Sequence, residues 1–133
     1  MQQHVYEYAV IRVVPRVERE EFLNAGVIVF CKSLRFIRMR YLLDRERIRV
    51  FAPGTDLEQI AQNLSSFEKI AHGSRDGGPI ACEDEASRFR WLTAVRSSVI
   101  QTSRPHPGLC SDPGKVLDHL FKDLVEPYDI NFC

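Results

Sequence analysis

No stretch of this chain approaches the roughly 18 consecutive apolar residues that a membrane-spanning helix requires. Its first residues, Met1-Gln2-Gln3-His4, lack the basic-then-apolar layout of a secretory signal. The expectation is a cytoplasmic protein with no membrane partner. Cysteine is sparse and scattered: Cys31, Cys82, Cys110 and Cys133 stand 51, 28 and 23 residues apart. No CxxC pair or Cys/His cluster occurs, which argues against a zinc site, and a disulfide framework is not expected in a cytosolic chain of this size. Three of the four are expected to be small buried or half-buried apolar residues, with Cys133 a tail thiol. The adjacent Gly77 and Gly78 lie in neither a GxxxxGK nor a GxGxxG context, so they make no phosphate cradle. No GxSxG elbow presents a serine nucleophile. No metal and no cofactor is expected.

Excess charge is missing as well, since 18 basic residues balance 18 acidic ones. The balance is uneven along the chain. Residues 1–50 hold ten Lys/Arg against six Asp/Glu, and residues 51–133 hold eight against twelve. A dedicated nucleic-acid binder carries a clear positive excess, so nucleic acid is not the expected partner.

What is present is ordinary for a globular chain: 133 residues, 44% apolar and 27% charged. That length suits one domain, residues 1–133, able to bury about two-thirds of its unfolded surface. The organising stretch runs from Tyr6 to Leu43. A polar knot, residues 15–26, is flanked by Tyr8-Ala9-Val10-Ile11 and Val27-Ile28-Val29-Phe30. Both runs are short and rich in β-branched and aromatic residues, which reads as neighbouring strands. The first, residues 5–14, is stopped by Pro15, which cannot donate to a ladder. Residues 18–22 suit a helical turn or wide loop, and Gly26 suits a bulge or a positive φ. Residues 27–31, apolar on both faces, read as a central strand. After a turn at residues 32–35, residues 36–43 alternate as a third strand, with Ile37, Met39, Tyr41 and Leu43 on one face. Arg38 and Arg40 fall on the other face, as Arg12 does on the first strand. Arg12, Arg38 and Arg40 are therefore a candidate basic face, the alternative being arginine stems laid over apolar neighbours.

Asp44 is placed to cap a short helix with Ile48 and Phe51 inward, ending at Pro53-Gly54. Thr55-Asp56-Leu57-Glu58 reads as a capping box. It opens a helix with Leu57, Ile60, Ala61, Leu64, Phe67 and Ala71 on one stripe, closed by Gly73. Residues 73–82 read as a mobile loop. A third helix follows Glu83-Asp84-Glu85, with Ala86, Phe89, Leu92 and Val95 inward. Residues 98–103 suit a fourth strand and residues 103–108 a rigid turn. Asp112-Pro113 begins the last helix, whose stripe is Val116, Leu117, Leu120, Phe121 and Leu124. The expected class is α+β: a mainly antiparallel sheet of about four strands, packed by three main helices. His4, His72 and His119 read as surface residues.

Two segments resemble the signatures of a bacterial family of unknown function, numbered 3037 among such families. The first is Tyr8-Ala9-Val10-Ile11-Arg12, then Pro15, then Glu21-Phe22-Leu23-Asn24-Ala25-Gly26-Val27. The second is Arg88-Phe89-Arg90-Trp91-Leu92-Thr93-Ala94-Val95-Arg96-Ser97, followed by Gln101, Ser103, His106, Gly108-Leu109 and Asp112-Pro113. Together they span about residues 6–125. Val95 departs from the proline expected there, which loosens the helix stop and touches no chemistry. The resemblance implies no established activity. Members of the family are often encoded beside HipA-like protein kinases, which implies a partner or accessory role.

The side chains these signatures would bring together are Glu21, Asn24, Arg96, Gln101, Ser103 and His106. Such a set could bind an anion or position a substrate. The stronger account is structural, with Glu21 and Arg96 as an ion pair and Asn24 satisfying loop backbone. Glu18, Glu20 and Glu21 invite a paired-carboxylate reading, but no further ligands stand at a recognisable spacing, and a solvated turn is the simpler account. No catalytic residue is assigned. The leading expectation is a non-enzymatic module with a protein partner. The rivals are an enzyme acting on a phosphate-containing or nucleotide substrate, and a nucleic-acid binder using the basic face.

Overall fold

The computed structural model describes residues 2–127. Five strands form one antiparallel sheet: β1 (His4–Val13), β2 (Leu23–Cys31), β3 (Phe36–Tyr41), β4 (Ile100–Thr102) and β5 (His106–Cys110). The order is β3-β2-β1-β4, with β5 also paired to β1. β4 lies along Ile11–Val13 and β5 along His4–Tyr8, so the two short strands share one edge of β1. The stretch expected to be only a turn thus supplies a fifth strand. Pro107 is tolerated there because an edge strand needs no donor on its solvent side.

Four helices cover both faces of the sheet: α1 (Arg45–Phe51), α2 (Leu57–Ala71), α3 (Glu85–Leu92) and α4 (Pro113–Leu124). Alternation along the strands divides the apolar residues between two cores. Ile11, Val13, Ile28, Phe30, Ile37 and Met39 face α1, α2 and α3, where Phe30 stacks on Phe89 with ring centroids 5.1 Å apart. Val27 and Val29 face the other way, onto Leu117, Phe121 and Val125. β2 is central and buried through most of its length, as its doubly apolar pattern predicts. The α+β class and the mainly antiparallel sheet hold, with five strands and four helices in place of about four and three.

Local chemistry sets the boundaries. A bulge between Ile11 and Arg12 puts Gly26 and Asn24 opposite them, leaving Ala25 as the extra residue. Gly26 serves close packing and not a positive φ: a Cβ there would lie 2.7 Å from the Arg40 carbonyl oxygen. Asp44, Asp56, Asp84 and Asp112 cap the four helices by accepting from backbone N–H groups of the first turn. Asp56 therefore caps α2, whereas Thr55 donates its hydroxyl to the Ala52 carbonyl at 2.6 Å. The segment read as a mobile loop folds into two 3-10 turns, Arg75–Gly77 and Pro79–Cys82. It is pinned by Lys69–Asp76 at 3.0 Å and by buried Ala81. Among the cysteines, Cys31 and Cys110 are buried and Cys82 is exposed, while Cys133 lies outside the described residues.

Two inward assignments are corrected. α3 stops at Leu92, so Val95 emerges fully exposed. Phe51, at the end of α1, is 37% exposed, and only Ile48 of that helix is buried.

Candidate functional site

The antiparallel pairing brings the end of β1, the start of β2, the end of β3 and the start of β4 to one end of the sheet. Glu21, Asn24, Arg96 and Gln101 lie on or next to the elements that meet there, whereas His106 starts β5 along the other half of β1. The β1–β2 loop contains a 3-10 turn, Val17–Arg19, and Glu20 in the left-handed region at φ 55. Its charges pair locally. Arg16 meets Glu18 at 2.9 Å and Arg19 meets Glu21 at 2.5 Å, all four well exposed. The Glu18 carboxyl is lowered by its own backbone N–H and then by Arg16, and that of Glu21 by the hydrogen bond from Arg19. Exposed pairs of this kind contribute about 0–1 kcal/mol. Since Glu18 and Glu21 each answer to a separate arginine and Glu20 to neither, the three acids form no carboxylate pair.

The expected direct ion pair between Glu21 and Arg96 does not form; Arg19, two residues away, takes the carboxylate. Arg96 is bound to its own helix end. It donates to the carbonyls of Trp91 and Ala94, and its guanidinium carbon lies 4.5 Å from the Trp91 ring centroid and 5.1 Å from that of Phe67. Burial pushes its pKa down, and an arginine stays charged regardless. Asn24 donates from Nδ2 to the Leu124 carbonyl at 3.1 Å, tying the end of α4 to β2. Ser103 is buried; its Oγ accepts from the Val10 N–H at 2.8 Å and donates to the Arg104 carbonyl at 3.0 Å. Its hydroxyl thus completes the sheet edge in the gap between β4 and β5. Gln101 donates from Nε2 to the Ser98 carbonyl at 2.9 Å, and His106 lies against Tyr8 with ring centroids 5.2 Å apart.

The six expected site residues are therefore divided. Glu21 borders a groove of about 350 Å³ with Pro15, Arg19, Phe51 and Pro53. Arg96 and Gln101 border a second cleft of about 520 Å³ with Arg12, Glu20, Phe22 and Ser97. Asn24, Ser103 and His106 border neither. The basic face is divided too. Arg40 meets Asp118 at 3.2 Å and lies over Phe121, Arg38 donates to the Ile37 carbonyl, and Arg12 lies over Phe22 at 4.1 Å. Among the described residues no three His, Cys, Asp or Glu side chains converge to hold a metal ion. Ser103, saturated and buried, is not poised as a nucleophile beside His106.

Two residues that sequence reasoning passed over carry structure at these elements. Arg88 is buried on α3 and donates from Nη1 to the carbonyls of Ile70 and Ala71, closing the end of α2. Its spacing from Glu85 and Leu92 places it on the inward stripe, which was the available signal. His72, a surface residue as expected but with its ring partly buried, uses Nε2 to accept the Met39 N–H of edge strand β3 at 3.2 Å. No local pattern announces that contact across 33 residues.

No curated protein and no solved structure is detectably similar to this chain. The model of one family, described as a protein of unknown function (DUF3037), matches residues 8–125 and so takes in both signatures. The chain belongs to the DUF3037 family.

Proposed function

We propose that this protein is a non-enzymatic accessory module of the cytoplasm that works by docking onto another protein. One observation carries the reading: large apolar side chains stand exposed in two groups, Phe22 with Val95 along one cleft and Val50 with Phe51 along another. Phe22 is 42% exposed in the β1–β2 loop, Val50 82% on α1, and Val95 fully so after α3. Val50 and Phe51 join Leu23 along an open, mostly apolar depression beside the same loop. Grouped apolar exposure on a small chain marks an interaction surface more often than a catalytic one. Of the polar side chains expected to build a site, Glu21, Asn24, Arg96 and Ser103 are engaged in a local ion pair, helix ends and the sheet edge. A nucleic-acid role has less support, because Arg40 is paired with Asp118 and lies over Phe121 of α4.

The test is purification of the tagged protein at native expression, with bound proteins identified and quantified by mass spectrometry. A HipA-like kinase, which the family resemblance suggests, is the first partner to look for. The wild type is expected to carry a partner in near-stoichiometric amount, and a Val50→Glu/Val95→Glu variant with unchanged melting temperature to lose it. A partner that survives both substitutions, or no stoichiometric partner at all, contradicts the reading.

A further inference from the structure

We infer that the cleft between the β1–β2 loop and the α3–β4 turn is a binding site for an oxyanion, phosphate or carboxylate, carried on an apolar stem. This goes beyond the partner reading, since a small anion would fill the cleft whether or not a protein docks around it.

Two guanidinium groups border the cleft without any carboxylate at ion-pair distance among the described residues, those of Arg12 and Arg96. Each is held in place by aromatic rings and not by an acid. Arg12 lies over Phe22 at 4.1 Å, and Arg96 over Trp91 at 4.5 Å. Stacking of this kind fixes the plane of a guanidinium while leaving the terminal Nη groups able to bond a carboxylate or phosphate oxygen. The Arg12 Nε is buried with no acceptor, so the fold itself has not matched this group. Backbone carbonyls occupy the Arg96 Nε and Nη2, and Nη1 makes no hydrogen bond among the described residues. Gln101, opposite Arg12 in the β1–β4 register, donates its amide to Ser98, and its side-chain carbonyl accepts no hydrogen bond among the described residues.

The remaining walls select the stem. Val14, Val17, Phe22 and Val95 are apolar, and about 520 Å³ lies within the size range of small-ligand sites. Glu20 is the one acid on the described lining, exposed and in no ion pair among the described residues. It opposes an incoming anion and sets a useful sign for the test. Glu20 and Ser97 border the cleft without a hydrogen bond between them among the described residues, and the inference concerns binding and no reaction.

The experiment titrates the full-length protein with phenyl phosphate, and in a parallel arm with phenylacetate. The arginine Nε–Hε signals are followed by NMR in ¹⁵N-labelled protein. Saturable shifts of Arg12 and Arg96 are expected in at least one arm, and the arm that saturates tells phosphate from carboxylate. Arg12→Gln should weaken binding about tenfold or more, and Glu20→Gln should strengthen it about twofold or more. Should Arg12→Gln fail to fold, Glu20→Gln carries the test, because that residue is exposed and its replacement costs the fold nothing. Shifts that stay linear in both arms, or affinity unchanged by the charge substitutions, overturn the inference.

Discussion

The Arg88 guanidinium donates to the Ala71 carbonyl at 3.0 Å, so a cation on α3 closes the C-terminus of α2. The exposed carbonyls of a helix end favour positive charge, and burial strengthens the interaction. Gly73 makes room for it: its φ is +66, and a Cβ there would lie 2.7 Å from the Arg88 Nη1. Arg88→Met keeps the stem and deletes the donors, and should cost about 2–3 kcal/mol in chemical denaturation. Gly73→Ala should cost about 1–2 kcal/mol. Because the alanine also displaces the guanidinium, its cost should shrink in the Arg88→Met background. Equal costs in both backgrounds would show that the two positions act independently.

Ser103 supplies the hydrogen bond that the sheet lacks between β4 and β5. Ser103→Ala leaves the Val10 N–H buried without an acceptor, a loss of about 1–3 kcal/mol. Denaturant midpoints measure it directly. A variant as stable as wild type would mean that the hydroxyl serves something other than the fold.

The His72 imidazole must be neutral at Nε2 to accept the Met39 N–H. Partial burial lowers its pKa first, and the Arg38 charge lowers it further, with Glu68 acting the other way. A lowered pKa in the folded state means that the neutral ring is favoured by folding. Its contribution is complete above the unfolded value of 6.5 and is lost as pH falls through the lower folded value. His72 should titrate below 6.5 by NMR. Wild type should also lose stability relative to His72→Gln as the pH drops below about 6.5, since glutamine can accept the same bond at any pH. A His72 pKa at or above 6.5 removes this account.

Much of this fold was legible because one periodicity decided each element. The two-face apolar pattern of residues 27–31 marks β2 as central, and the stripe from Leu57 to Ala71 marks α2. Errors fell where two local rules competed. Pro105 and Pro107 speak for a turn, yet the β1 edge from His4 to Tyr8 needed a partner and took residues 106–110. Val95 continues the α3 stripe by spacing, but the helix closes at Leu92, with the Thr93 hydroxyl on the Phe89 carbonyl at 2.9 Å. The candidate site was half legible. That the two signatures meet could be read from their polar character between apolar elements. Which residues would meet could not, because Arg19 competes for Glu21 from two residues away and the carbonyls of α3 compete for Arg96.

The central claim is that Glu21 and Arg96, one from each signature, are each held by their own neighbours and not by each other. A double-mutant cycle on Glu21 and Arg96, read by chemical denaturation, tests it most directly. Arg96→Ala removes the closure of α3 and the stacking on Trp91 and Phe67, and should cost about 1–2 kcal/mol. Glu21→Ala removes one exposed pair and should lie within about 0.5 kcal/mol of wild type. The double variant should equal the sum, with a coupling within about 0.5 kcal/mol of zero. A coupling of about 1 kcal/mol or more would mean that the two signatures are joined through this pair after all, and would contradict the account.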